Sequence, residues 1–210
     1  MTIVHDLADQ LKQRLAQPLP GAAAMRTWAP QLAYGRHFVP PPADARQSAV
    51  AVLVYPHAGE WFVPLTLRPA TLSHHASQIS LPGGSLDLDE TPEEAAWREL
   101  SEELGIARDA FEPVGRLTPL YIFVSNFFVT PCVAFAHALP QFVPNPSEVE
   151  AVLELPLAVL PTASTHESLV IERGGLSFRA PCWQIGAQRV WGASAMMLGE
   201  LAEVLREIRR

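Results

Sequence analysis

Apolar residues at Ile3, Leu7, Leu11 and Leu15 recur every four positions, which predicts an amphipathic N-terminal helix ended by Pro18 and Pro20. Residues 38–47, with Pro40, Pro41 and Pro42, read as a connector over the surface. The β-branched run 48–55 predicts a buried strand, 57–60 a turn and 61–68 the returning strand of a hairpin. Pro64 lacks a backbone N–H, so that second strand is expected to be an edge or an irregular one. Residues 111–120 and 126–137 predict two further strands, and in 149–159 Pro156 is expected to divide a strand from a short helix. Within 191–210, Leu198, Leu201, Val204, Leu205 and Ile208 stand at helical spacing, the mark of a packing helix. Strands mixed with a few helices, and no repeat, predict a compact α/β domain.

The most informative segment is 91–105. Thr91 is placed as an N-cap, Pro92 at the first helical position, Glu94 as the return partner of a capping box, and Gly105 as the stop. Ala96, Trp97, Leu100 and Leu104 make the apolar face, and Glu99, Glu102 and Glu103 converge on a neighbouring one. A solvated acidic face is the plain reading of such a run. Two features oppose it: the charge sits toward the C-terminal end, where the helix dipole disfavours anions, and Arg98 alone cannot neutralise three carboxylates. A cation is missing, and oxygen ligands without histidine or cysteine point to Mg²⁺ or Mn²⁺.

Composition narrows the partners. The chain has 210 residues, 49% of them hydrophobic, and a formal charge of −7 with no basic run beyond Arg209 and Arg210. Polymeric nucleic acid is therefore not expected as a partner, whereas a small anion is, once a bound metal reverses the local sign. The longest apolar run, 49–55, is far too short for a membrane helix. The first fifteen residues lack the basic start and apolar stretch of a secretory signal, so the cytoplasm is expected. Cys132 and Cys182 lie in apolar surroundings with no CxxC spacing and read as buried free thiols.

Residues 81–84, Leu-Pro-Gly-Gly, precede the acidic helix and let the backbone turn sharply and approach a ligand. Gly84, Glu90, Arg98-Glu99-Leu100, Glu102-Glu103 and Gly105-Ile106, with five, seven, one and one residues between them, resemble the Nudix box at every specified position. The resemblance implies an α/β/α sandwich with a mixed sheet and hydrolysis of a nucleoside diphosphate joined to another group. It implies that Glu99 and Glu103 are the principal metal ligands with Glu102 assisting, that Arg98 orients the glutamates, that Gly83 or its neighbour offers a carbonyl, and that Glu90 holds the loop to the helix. The metals would cancel diphosphate charge and lower the pKa of the attacking water, and a carboxylate would take its proton.

Flanking pieces are similar to the coenzyme A pyrophosphatase subfamily: residues 65–68, 74–84, 120–122, 125–127, 148–149 and 191–195. That likeness implies cleavage of coenzyme A to 3′,5′-ADP and 4′-phosphopantetheine. The chain departs from the subfamily pattern at Pro64, Pro69, Ser73 and Ser77. ADP-ribose or a nucleotide sugar is the alternative substrate, and a nucleotide-binding module without catalysis the rival of another class. Candidate substrate contacts are Arg68, His74, Gln78 and Glu148. Arg68 reads equally as a phosphate contact or a structural ion pair, His74 and His75 as loop residues or phosphate contacts, and Glu148 as a metal ligand, a general base or an exposed loop residue. Tyr121 and Phe127 read as core residues or as a platform for adenine. One domain is expected, with an N-terminal helix and connector over 1–45, a catalytic core over 46–162 and an extension with a packing helix over 163–210; a homodimer stays open.

Overall fold

The computed structural model describes residues 2–70, 78–160 and 167–209. Helix α1 (Thr2–Leu15) and the short α2 (Ala22–Met25) lead to strand β1 (Arg46–His57), which turns at Ala58 and Gly59 into β2 (Glu60–Leu67). Strands β3 (Ile79–Ser80) and β4 (Gly83–Ser85) precede helix α3 (Pro92–Leu104). Then come β5 (Glu112–Arg116), β6 (Leu120–Ile122), β7 (Phe127–Phe135) and β8 (Ala151–Pro156), with a single turn of 3₁₀ helix at Leu157–Val159 behind Pro156. A separate three-stranded sheet, β9 (Glu167–Arg173), β10 (Leu176–Ile185) and β11 (Gln188–Trp191), leads into helix α4 (Ala193–Ile208).

The main sheet is mixed. Its path is β3-β2-β1-β7-β5, with β1 and β7 parallel and the other pairs antiparallel. Alternation along β1 divides the core into two layers. Ala49, Ala51, Leu53 and Tyr55 pack with Ala96, Leu100 and Leu104 of α3, while Val52 and Val54 pack with Leu11 and Leu15 of α1 and Leu201 and Leu205 of α4. Helices thus cover both faces, the layered mixed-sheet architecture expected from the sequence. Among the described residues, no helix is long and apolar enough to cross a membrane.

Two strand expectations change. Strand β2 is not an edge: β8 lies along Phe62–Leu67 on one side, and β1 and then β3 lie on the other. Pro64 falls in the gap between those two partners, so the strand is irregular there, as a residue without an N–H requires. The single strand expected over 111–120 is two strands, β5 and β6. Between them the backbone N–H and hydroxyl of Thr118 both donate to Glu200, a fully buried carboxylate on α4 that also accepts from the Gly21 N–H. Those bonds replace ladder pairing at the break. The sheet β9 to β11 was not expected at all, although Gly174-Gly175 between two apolar runs is a hairpin signal.

Both cysteines are free and buried, and burial pushes the Cys132 thiol up to about 12. They are packing residues.

Candidate metal centre

Helix α3 forms where its local chemistry demands. The Thr91 hydroxyl accepts from the Glu94 N–H at 3.3 Å while the Glu94 carboxylate accepts from the Thr91 N–H at 2.9 Å, completing the capping box. Gly105 closes the helix in the left-handed region at φ 68°, its N–H donating to the Ser101 carbonyl. Burial of Ala96, Leu100 and Leu104 turns one flank of the helix onto β1, which points Glu99 and Glu103 along the seam between helix and sheet.

The loop before the helix is fitted to that seam. Gly84 pairs with Ala49 of β1, and a Cβ at Gly84 would overlap the Glu99 carboxylate. A glycine is needed for the carboxylate to lie so close to backbone. Gly83 forms a backbone hydrogen bond with Glu103. Arg98 fastens loop to helix: its guanidinium donates to Glu90 Oε1 at 2.9 Å and Oε2 at 3.0 Å, to the Ser85 carbonyl at 3.0 Å, to Glu99 Oε1 at 3.0 Å and to Glu102 Oε2 at 3.1 Å. Those bonds hold the Glu90 carboxyl below its usual range and the Arg98 guanidinium above its own.

A third carboxylate arrives from the loop that follows β7. The orphan carbonyls at the end of α3 are met by that loop, the Val143 N–H donating to Leu104 and the Asn145 N–H to Glu103. Asn145 then folds its own loop: its Oδ1 accepts from the N–H and hydroxyl of Ser147, and its Nδ2 donates to Glu148 Oε1 at 3.2 Å. The Glu150 N–H closes the loop on the Leu67 carbonyl at the end of β2. Ligand oxygens of Glu99, Glu103 and Glu148 consequently lie within 4.8 Å of one another.

This cluster fits a hard divalent cation. All of its side-chain ligands are oxygens, and Glu103 Oε2 is buried without a hydrogen-bond partner. Burial first, and then the neighbouring Glu99 charge, push the Glu103 carboxyl up to about 8. Glu99 is raised as well, burial outweighing its bond from Arg98. Near neutral pH the site therefore disfavours its own full ionisation, and a bound cation is what favours it. Arg68, one residue past β2, sets Nη1 3.8 Å from Glu103 Oε1 and keeps its Nε buried without a hydrogen-bond partner.

The family model of the NUDIX domain matches residues 45–171. This chain belongs to the Nudix hydrolase family. Two curated relatives are both described as uncharacterized Nudix hydrolase NudL. That of Pectobacterium atrosepticum is 36% identical over 163 residues, covering 77% of this chain and 84% of the relative. That of Cronobacter sakazakii is 38% identical over 164 residues, covering 76% and 82%. Among solved structures, the Nudix hydrolase RenU of M. smegmatis superposes with a TM-score of 0.55 at 21% identity, over 78% of this chain and 88% of that one. The MutT protein of Methanosarcina mazei gives 0.51 at 18% identity, over 79% and 96%. At those identities the solved structures speak for the fold alone. Nudix hydrolases act on nucleoside diphosphate derivatives and generally use divalent metal ions.

Set on this Nudix fold, the residues singled out in the sequence divide. Glu99, Glu103 and Glu148 come together, with Arg68 beside them and Gly83 and Arg98 in support. Glu102 stands apart from the cluster; its side chain is 53% exposed and serves as a partner of Arg98. Gln78 offers its carbonyl to the Arg68 N–H at 3.0 Å. His74, His75, Ser73 and Ser77 lie outside the described residues. Tyr121 donates to Asn126 Oδ1, and Phe127 packs against the core beneath the Arg46 guanidinium. Sequence reading missed Asn145, whose Asn-Pro-Ser context is a turn signal, and Ser194, whose hydroxyl accepts the Leu81 N–H at 3.3 Å and ties the box loop to α4.

Proposed function

We propose that this Nudix hydrolase cleaves the diphosphate linkage of coenzyme A, releasing 3′,5′-ADP and 4′-phosphopantetheine, with Mg²⁺ or Mn²⁺ held by Glu99, Glu103 and Glu148. The observation that carries the catalytic part is the convergence of those three carboxylates, one of which, Glu103, keeps a buried oxygen, Oε2, without a hydrogen-bond partner. When bound, the divalent ion supplies neutralisation of diphosphate charge and a lowered pKa for water.

The protein's own groups supply the remainder. Arg68, one residue past β2 with its side chain partly exposed, takes a phosphate oxygen, where a planar guanidinium can bond in two places at once. Arg98 and Gly84 hold Glu99 in one orientation. A carboxylate of the cluster accepts the proton of the attacking water, and Asn145 steadies Glu148 within it. Glu102 keeps Arg98 in place from the solvent side.

Coenzyme A as substrate is supported by the flanking sequence pieces rather than by the carboxylates, which serve any diphosphate. The test is a panel of coenzyme A, ADP-ribose and a nucleotide sugar with each metal, products identified by mass spectrometry. Coenzyme A is expected to show the highest kcat/KM. Faster cleavage of ADP-ribose would transfer the substrate assignment, and no cleavage of any diphosphate with either metal would overturn the catalytic reading.

A further inference from the structure

The C-terminal sheet ends in an edge that is complementary to itself. Strand β9 pairs with β10 and, among the described residues, with no other strand. Arg173 and Leu176 are paired across Gly174 and Gly175, whose φ values of 58° and 76° make the connection a two-residue turn of type I′. Such a turn closes on a hydrogen-bonded pair, so the alternation of an antiparallel ladder directs the odd-numbered backbone groups of β9 toward β10. The even-numbered residues, Ser168, Val170 and Glu172, turn their N–H and C=O groups to the side away from β10, where no described strand pairs with them. Pro181 agrees with this assignment: it stands opposite Ser168, a pairing in which β9 asks for no N–H from it.

Exposed edges are ordinarily blunted by proline, lysine, a bulge or brevity. The centre of β9, Leu169-Val170-Ile171, has none of these, and Val170 is 61% exposed. We propose that β9 pairs antiparallel with β9 of a second copy of this chain, about a two-fold axis through Val170.

In that register the sequence complements itself along the strand. Val170 meets its own copy, Leu169 meets Ile171, and the Ser168 hydroxyl meets the Glu172 carboxylate. At the ends, Glu167 stands opposite position 173, an arginine. No like charges face one another. Sliding the copies by one pair in either direction sets Glu167 against Ile171 or Glu172 against Val170, so both the apolar and the charged residues select the centred register. The pairs 168 with 172, 170 with 170 and 172 with 168 are then the hydrogen-bonded ones, each using backbone groups that β10 leaves free. Glu99, Glu103, Glu148 and Arg68 take no part, so the dimer stands or falls independently of the hydrolase reading.

Sedimentation velocity on the full chain tests this, with twice the 23.0 kDa chain mass expected and a return to 23.0 kDa for Val170→Lys, which sets two like charges together on the axis. Hydrogen-bonded antiparallel partners have Cα atoms about 5.5 Å apart, a spacing that a disulfide spans. Val170→Cys is therefore expected to cross-link to a covalent dimer under mild oxidation, whereas Leu176→Cys, equally exposed but off the axis, stays single. The native thiols are buried and do not compete. A wild-type chain of single mass at all concentrations, a dimer that Val170→Lys leaves intact, or Val170→Cys chains that remain single would each overturn the proposal.

Discussion

Arg68 Nη1 stands 3.8 Å from Glu103 Oε1, close enough for charge attraction and too far for a hydrogen bond. The buried Arg68 Nε and Glu103 Oε2 both lack hydrogen-bond partners. An ion pair built only for stability would close that gap; one left open has donors for a phosphate and an acceptor for a cation. Arg68→Ala is expected to lower kcat/KM for a diphosphate substrate by about ten- to a hundredfold, since a hydrogen bond to a charged group is worth about 1.5–3 kcal/mol. Steady-state kinetics check this, and an unchanged kcat/KM would leave Arg68 a purely structural residue.

Glu103→Gln and Glu99→Gln are each expected to abolish turnover while the chain stays folded, because the amide preserves shape and removes the charge that holds a cation. Without metal, the Glu103→Gln protein should melt no lower than the wild type near neutral pH, since burial, and then the Glu99 charge, raise the Glu103 carboxyl to about 8 and already disfavour its charged form there. Thermal melts with EDTA and with added Mg²⁺ or Mn²⁺ separate the effects: metal should raise the wild-type melting temperature by mass action and leave the mutants nearly unmoved. Full activity in either mutant would remove the metal-site reading.

The raised Glu103 carboxyl sets the sign of a pH dependence. The folded chain holds this proton to about 8, whereas the unfolded chain releases it near 4.5. Between those values the folded state binds more protons, so this group's contribution to stability is greatest below the lower one and is lost as pH rises toward the upper. The metal-free wild type should therefore lose stability relative to Glu103→Gln as pH is raised across that window. Chemical denaturation in EDTA at a series of pH values measures it; parallel curves would show that Glu103 is ionised throughout.

Asn145 is expected to matter without touching substrate. Asn145→Ala keeps the backbone N–H that meets the Glu103 carbonyl but loses the side-chain bonds to Glu148 and Ser147. Loss of a supporting partner behind a metal ligand costs about 10–100-fold in metal affinity or activity. Metal titration followed calorimetrically should show the weakening with KM little changed, and wild-type metal affinity in the mutant would mean that Glu148 is oriented by other contacts.

The sequence by itself determined helix α3 down to its caps, because the capping box, the proline at the first turn and the closing glycine act over three or four residues and need no distant partner. Spacing alone placed Glu99 and Glu103 one turn apart on one face, and the box motif carried the family. Which acidic residue joins Glu99 and Glu103 in the carboxylate cluster was decided by tertiary structure. Packing of Leu100 and Leu104 onto β1 turned Glu102 toward solvent, and the carbonyl that Glu103 could not satisfy within its helix drew in the Asn145 N–H, and with it Glu148. The two-sided pairing of β2 by β8 and the break at Thr118, met by Glu200, likewise depend on partners far along the chain, and local periodicity holds no record of such meetings.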